Sequence, residues 1–170
     1  MQTVMKRYLA ILFALLLAAC GYRMGGLKKT SMKKMNTFSV EMFDNETVFP
    51  FVAMQLTTAL TDTMQRDGTY TMASSEKCDF KIRGAVYSVH ETSQRTNTAD
   101  TYLSSEIGLT VHVEYQVINR RTGKTILSSK TSASGSFFND TGNAQTARDG
   151  ALSYATRKAA ENIVQTLTLP

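Results

Sequence analysis

The chain has 170 residues, 42% of them hydrophobic, enough for one domain with a real core and too many for wholesale disorder. The formal charge is +5; without Lys6 and Arg7, which lie in a segment expected to be removed, 17 of the 19 basic residues remain against 14 acidic ones, a net +3. So small an excess, with no aromatic-interleaved basic patch, argues against a nucleic-acid partner.

The amino terminus carries the strongest signal. Lys6 and Arg7 precede an apolar run, Leu9 to Ala19, the charged and apolar regions of an export signal. The run is far short of the ~20 residues that span a bilayer as a helix. It ends Leu17-Ala18-Ala19-Cys20, which resembles the bacterial lipobox. Small residues let a signal peptidase reach the peptide bond, and the Cys20 thiol takes a diacylglycerol. Residues 1–19 are therefore expected to be a lipoprotein signal peptide. Several acyl chains hold firmly where one gives marginal binding. Gly21 follows, where an aspartate would signal inner-membrane retention, so the expected location is the periplasmic leaflet of the outer membrane. Residues 20–35 read as the lipidated cysteine and a tether. Arg23, Lys28, Lys29, Lys33 and Lys34 lie there with no acid among them, able to approach anionic headgroups. Cys78 then has no partner, so no disulfide framework is expected; it reads as a small residue where a strand begins.

One α+β domain is expected over 36–168. Phe38, Val40 and Met42 alternate with Thr37, Ser39 and Glu41, a strand that Asp44-Asn45-Glu46-Thr47 breaks. Pro50 suits a first helical turn, and Val52, Leu56, Ala59 and Leu60 share one face, predicting a helix over 50–66 that stops at Asp67-Gly68. Residues 69–72 read as a short extended piece. A strand over 79–91 has Phe80, Ile82 and Val86 on one side, with Tyr87 and Val89 on the other. A polar loop covers 94–101. The clearest strand is 106–118, with Ile107, Leu109, Val111, Val113, Tyr115 and Val117 on one face. Gly123 marks a hairpin turn, and 125–137 returns, rich in serine and threonine. A last helix carries a stripe of Ala144, Ala147, Ala151, Ala155, Ala159 and Ile163, joined by Tyr154, Val164 and Leu167. Gly150 in that helix suggests close backbone approach. The order β-α-β-β-β-α predicts a two-layer α+β sandwich, a four-stranded mixed, mostly antiparallel sheet with two helices on one face. The other face is left polar.

Chemistry is sparse. His90 and His112 lie on strands with no metal-ligand spacing, the serines lack a Gly-x-Ser-x-Gly elbow, and Gly21-Tyr-Arg-Met-Gly-Gly precedes no strand-to-helix turn. No enzyme activity, metal or cofactor is expected.

These residues, in order, resemble the lipopolysaccharide (LPS)-assembly lipoprotein family, LptE. The resemblance rests on Cys20-Gly21-Tyr22-Arg23 with Gly25-Gly26, Phe43-Asp-Asn-Glu-Thr47, Arg66-Asp-Gly-Thr-Tyr70, Arg121-Thr-Gly-Lys124, Gly135-Ser-Phe-Phe138 and the Ala-rich terminal helix. It implies a lipoprotein that plugs the LptD β-barrel, helps it assemble and supports LPS insertion at the cell surface. It also implies LPS contact by basic residues near the loop after the second strand and beyond the fourth. Arg95 occupies the first place. The second reads Ser-Gly-Ser-Phe-Phe-Asn-Asp without a base, leaving Lys130 as the substitute. Two other classes compete: an activator of a periplasmic peptidoglycan synthase, and an auxiliary lipoprotein of a lipid-transport ABC system. An activator needs a long tether, whereas about fifteen residues at 3.3–3.6 Å each reach at most about 50 Å.

Overall fold

A computed structural model describes residues 26–95, 105–139 and 143–169. Cys20, the signal segment and most of the expected 94–101 loop lie outside them. The strands are β1 (Thr37–Val40), β2 (Asp44–Asn45), β3 (Thr71–Met72), β4 (Phe80–Arg95), β5 (Ser105–Asn119) and β6 (Thr125–Asn139). The helices are α1 (Val52–Asp67) and α2 (Ala144–Thr168). One mixed sheet runs β3-β1-β4-β5-β6, and β2 also pairs with β4. Two helices pack on one face, so the α+β two-layer reading holds, but the sheet has six strands rather than four.

The two additional strands are two residues each, too short for any period to show. β2 falls where a break was expected. It lies parallel to β4, with Asp44 and Asn45 opposite Ala85 and Val86. Asn45 then makes the turn itself: its Oδ1 accepts the Thr47 N–H at 3.0 Å and its Nδ2 donates to the Phe49 carbonyl at 2.7 Å. Between β1 and β2 the chain advances four residues while β4 advances three. That extra residue inverts the alternation, so Met42 is exposed and Phe43 buried. β3 lies parallel to β1 at the sheet edge.

β4 and β5 form a long antiparallel ladder, 16 and 15 residues, about 50 Å at 3.3–3.4 Å per residue. Their inner face carries Phe80, Ile82, Leu109, Val111, Val113, Tyr115 and Val117, all buried. A register shift between Val86 and Ser88 leaves Tyr87 as a bulge. The bulge returns Val89 to the inner side opposite Val111, where it packs against the core; the expected placing of Tyr87 and Val89 together is corrected by that one extra residue.

Helix α1 buries Val52, Ala53, Leu56, Leu60 and Met64 and ends at Gly68, whose φ of 72° and N–H to the Met64 carbonyl make a left-handed cap. Helix α2 buries Ala151, Ala155, Ala159, Ala160, Ile163, Val164 and Leu167, small enough for close packing on β6. Tyr154, expected in this stripe, is exposed. The close approach expected at Gly150 is also corrected: an added Cβ there meets nothing within 4 Å. The close approach is on the sheet instead, where a Cβ on Gly135 would come 2.6 Å from the Ala151 carbonyl oxygen. Beside it, Asn162 Nδ2 donates to the Ser132 carbonyl at 3.2 Å on the outer edge of β6.

Residues 26–35 are packed on the domain. The Gly26 N–H donates to Thr69 Oγ1 at 2.5 Å, and Lys28 Nζ donates to the Met35 carbonyl at 2.9 Å. Met32 is fully buried in the core. The start of β1 is fixed by Asp79, whose carboxylate accepts the Asn36 and Thr37 N–H groups at 2.8 and 3.0 Å. The Asn36 N–H first, then Thr37 and the charge of Arg121, hold the Asp79 carboxyl below its ordinary range against a smaller opposing effect of burial. Its ionised form therefore stabilises the fold above the unfolded value of ~3.9. That contribution is lost as pH falls through the lower folded value. Asp79→Ala is expected to cost about 1 kcal/mol at neutral pH and to flatten this acid limb. Urea midpoints from pH 2 to 7 check it; an acid limb identical to the parent's would refute the assignment.

Candidate functional site: the uncovered sheet face

The helices cover only one side of the sheet. On the other side β4, β5 and β6 present a polar surface, because every second residue of a strand points outward. Register places Ser88, His112 and Ser132 in one outward row and His90, Thr110 and Ser134 in the next. Thr110 Oγ1 and Ser134 Oγ lie 2.8 Å apart, and Ser88 Oγ and His90 Nε2 2.7 Å apart.

Tyr87, at the bulge, belongs to this surface. Its ring centroid is 5.9 Å from that of His112, which is 5.3 Å from His90. Lys130 Nζ stands 4.9 Å above the Tyr87 ring, a cation–π position. The two histidines were expected on the polar face, and Tyr87 opposite the Phe80, Ile82 and Val86 side; what the bulge adds is Ser88 on the outward side beside it.

Lower on the same face is a hollow of about 670 Å³. Glu41, Asp44, Glu46 and Glu114 line it against Arg83 and Lys130, so its charge is acidic. Lys130 Nζ is 3.3 Å from Glu114 Oε2, both side chains largely exposed. Such a pair is worth about 0–1 kcal/mol, yet it neutralises the cation locally. Lys81 on the same side pairs with Glu41 at 3.0 Å.

Arg95 closes the described part of β4, opposite Glu106 of β5. Lys130 lies opposite Glu114. Eight residues of β5 separate these positions, about 27 Å along the strand, so the structure does not bring Arg95 and Lys130 together. Cys78 is buried and unpaired, its Sγ 3.5 Å from the Ser75 carbonyl. Among the described residues no three His, Cys, Asp or Glu side chains group to hold a metal ion, and no helix is long and apolar enough to cross a membrane.

A second concavity, about 860 Å³, lies between α1 and α2, lined by Gln55, Asp62, Arg66 and Arg157 among others. Gln55 Oε1 is buried there without a hydrogen-bond partner among the described residues.

Several solved structures share the fold. A hypothetical protein from Chlamydia trachomatis aligns with TM-score 0.57 at 9% identity, covering 79% of this chain and 96% of that one. A protein from Xanthomonas campestris aligns with TM-score 0.54 at 10% identity, covering 85% and 91%. A minor lipoprotein from Acinetobacter baumannii aligns with TM-score 0.53 at 16% identity, covering 79% and 94%. Identities this low speak for the architecture alone. No curated protein matches the sequence. The family model "LptE: Lipopolysaccharide-assembly" matches residues 35–167, from just before β1 almost to the end of α2. The chain belongs to the LptE family.

Proposed function

We propose that this protein is a non-enzymatic outer-membrane lipoprotein, anchored through Cys20, that plugs and helps assemble an LptD-like barrel and supports LPS insertion at the cell surface. Family membership over residues 35–167 carries the reading. The uncovered face of β4–β6 supports it. A barrel lumen is polar and hydrated, and a hydroxyl-rich wall such as Ser128, Ser132, Ser134 and Ser136 fits one at little desolvation cost. Acyl chains at Cys20 keep the domain within reach of a partner in the same membrane. Purification of the lipoprotein from detergent extracts is expected to retrieve a large β-barrel together with LPS. Recovery of a peptidoglycan synthase, or of an ABC transporter's membrane subunits, would overturn the assignment.

Arg95 is our proposed LPS contact, since a guanidinium binds phosphate through two parallel hydrogen bonds. Lys130 is the second proposed contact, and its share is smaller because Glu114 already faces it. Arg95→Asp is expected to weaken LPS binding in vitro about tenfold, roughly the effect of losing one charge-assisted pair. Lys130→Ala is expected to change it less than about threefold. Equal affinity of Arg95→Asp and parent for LPS in a titration would remove Arg95 from the site.

A further inference from the structure

Chain direction gathers several separate segments at one end of the domain. Strands β1 and β4 start there, β5 ends and β6 begins there, and both helices terminate there. The Gly26 N–H docks on Thr69, just past α1, and Gly26 lies against Thr168 at the end of α2. This is therefore where the amino-terminal segment joins the fold. Six residues from Cys20 to Gly26 span at most about 20 Å.

The charge of that end is mostly basic; Asp67, where α1 ends, is engaged by the Thr69 N–H and hydroxyl. Lys33 and Lys34 are exposed beside the β5–β6 turn, which carries Arg120, Arg121 and Lys124, all exposed. Lys34, Asp79, Arg120 and Arg121 line one shallow depression. Asp79 is the acid there, and it is committed to backbone N–H groups of Asn36 and Thr37. No salt bridge among the described residues engages these five cations, whereas Lys81, Lys130, Arg148 and Lys158 are each paired. Two apolar side chains stand exposed at the same end, Leu27 at 56% and Leu169 at 58%. Lys29 and Leu169 line a common hollow.

Cations outside any salt bridge around exposed leucines, at the point nearest the anchor, are the chemistry of an interfacial membrane contact. From this we infer that the end formed by residues 27–34, the 120–124 turn and Leu169 docks on the surface of an anionic phospholipid bilayer. The leucines enter the headgroup layer and, until the domain is seated in its barrel, the long β4–β5 ladder points away from the lipid. The anchor sets the height of the domain, and this surface sets its tilt. The inference rests on the lipid anchor proposed above, and the test separates the two.

The mature lipidated protein with Thr122→Cys carries a nitroxide at the turn; Cys78 is buried and does not compete for the label. It is reconstituted in phosphatidylcholine vesicles with and without phosphatidylglycerol. Collision with a water-soluble relaxant is expected to fall about threefold or more when phosphatidylglycerol is present, and to recover in high salt. A label at Ser136→Cys, ten rungs beyond the first β5–β6 pair, is expected to stay equally accessible in both vesicles. Lys33→Glu, Lys34→Glu and Lys124→Glu together are expected to abolish the protection at Thr122 with an unchanged thermal midpoint. Equal accessibility of the Thr122 label in both vesicles, with the protein still floating on neutral vesicles, would overturn the docking surface alone. So would protection that appears only when LPS replaces phosphatidylglycerol. Failure to float on neutral vesicles would overturn the anchor, and this inference with it.

Discussion

Gly84→Ala is expected to destabilise the domain by about 3 kcal/mol or more. Gly84 sits in the middle of β4 opposite Tyr115. A Cβ there would overlap the Glu114 carbonyl oxygen and lie 2.8 Å from both the Tyr115 Cα and Phe43 Cε1. Two of the three obstacles belong to the β5 backbone, which is held by pairs on both sides. The third is a ring 2% exposed. No flexible side chain can yield, so the ladder must open or Phe43 must leave the core. Gly150→Ala is the internal control. It lies in α2 with nothing within 4 Å of the new methyl group, and alanine there is expected to add about 0.5–1 kcal/mol. Urea unfolding of both variants measures the contrast. A Gly84→Ala midpoint within error of the parent would show that the two strands are not so tightly apposed.

The second large effect concerns the anchor. Cys20→Ala removes the thiol proposed to accept the diacylglycerol, and the precursor is expected to keep its first 19 residues and to gain no acyl chain. It should accumulate with the inner membrane, with outer-membrane recovery reduced at least about a hundredfold, because each lost acyl chain forfeits ~0.8 kcal/mol per buried CH₂. Co-purification of the barrel is expected to vanish with it. Intact mass and membrane fractionation read both. Unchanged outer-membrane recovery of the variant would mean that Cys20 is not the attachment point.

The long elements were legible in the sequence because burial imposes a period. Ile107 to Val117 alternates without interruption, and Leu56, Leu60 and Gly68 mark a helix face and its stop. Legibility failed where one residue changes the register. Neither the extra residue before β2 nor the bulge at Tyr87 has a compositional mark, and each swaps inside for outside beyond it. Gly150 misled for a related reason: a glycine in a helix tells of missing side-chain bulk but not of which partner comes close. The polar sheet face was visible from Thr110, His112 and Glu114. Its acidic hollow was not, since Glu41, Asp44 and Glu46 reach it only through the parallel pairing of β1 and β2 with β4.

β6 closes the sheet with 15 residues whose far side meets no further strand among the described residues. Such a border invites a neighbouring copy to zip on, a hazard for molecules confined to two dimensions at high local density. Asn162 occupies the Ser132 carbonyl midway along it. An incoming strand would meet one acceptor already taken. The border is thereby made a poorer template for self-stacking.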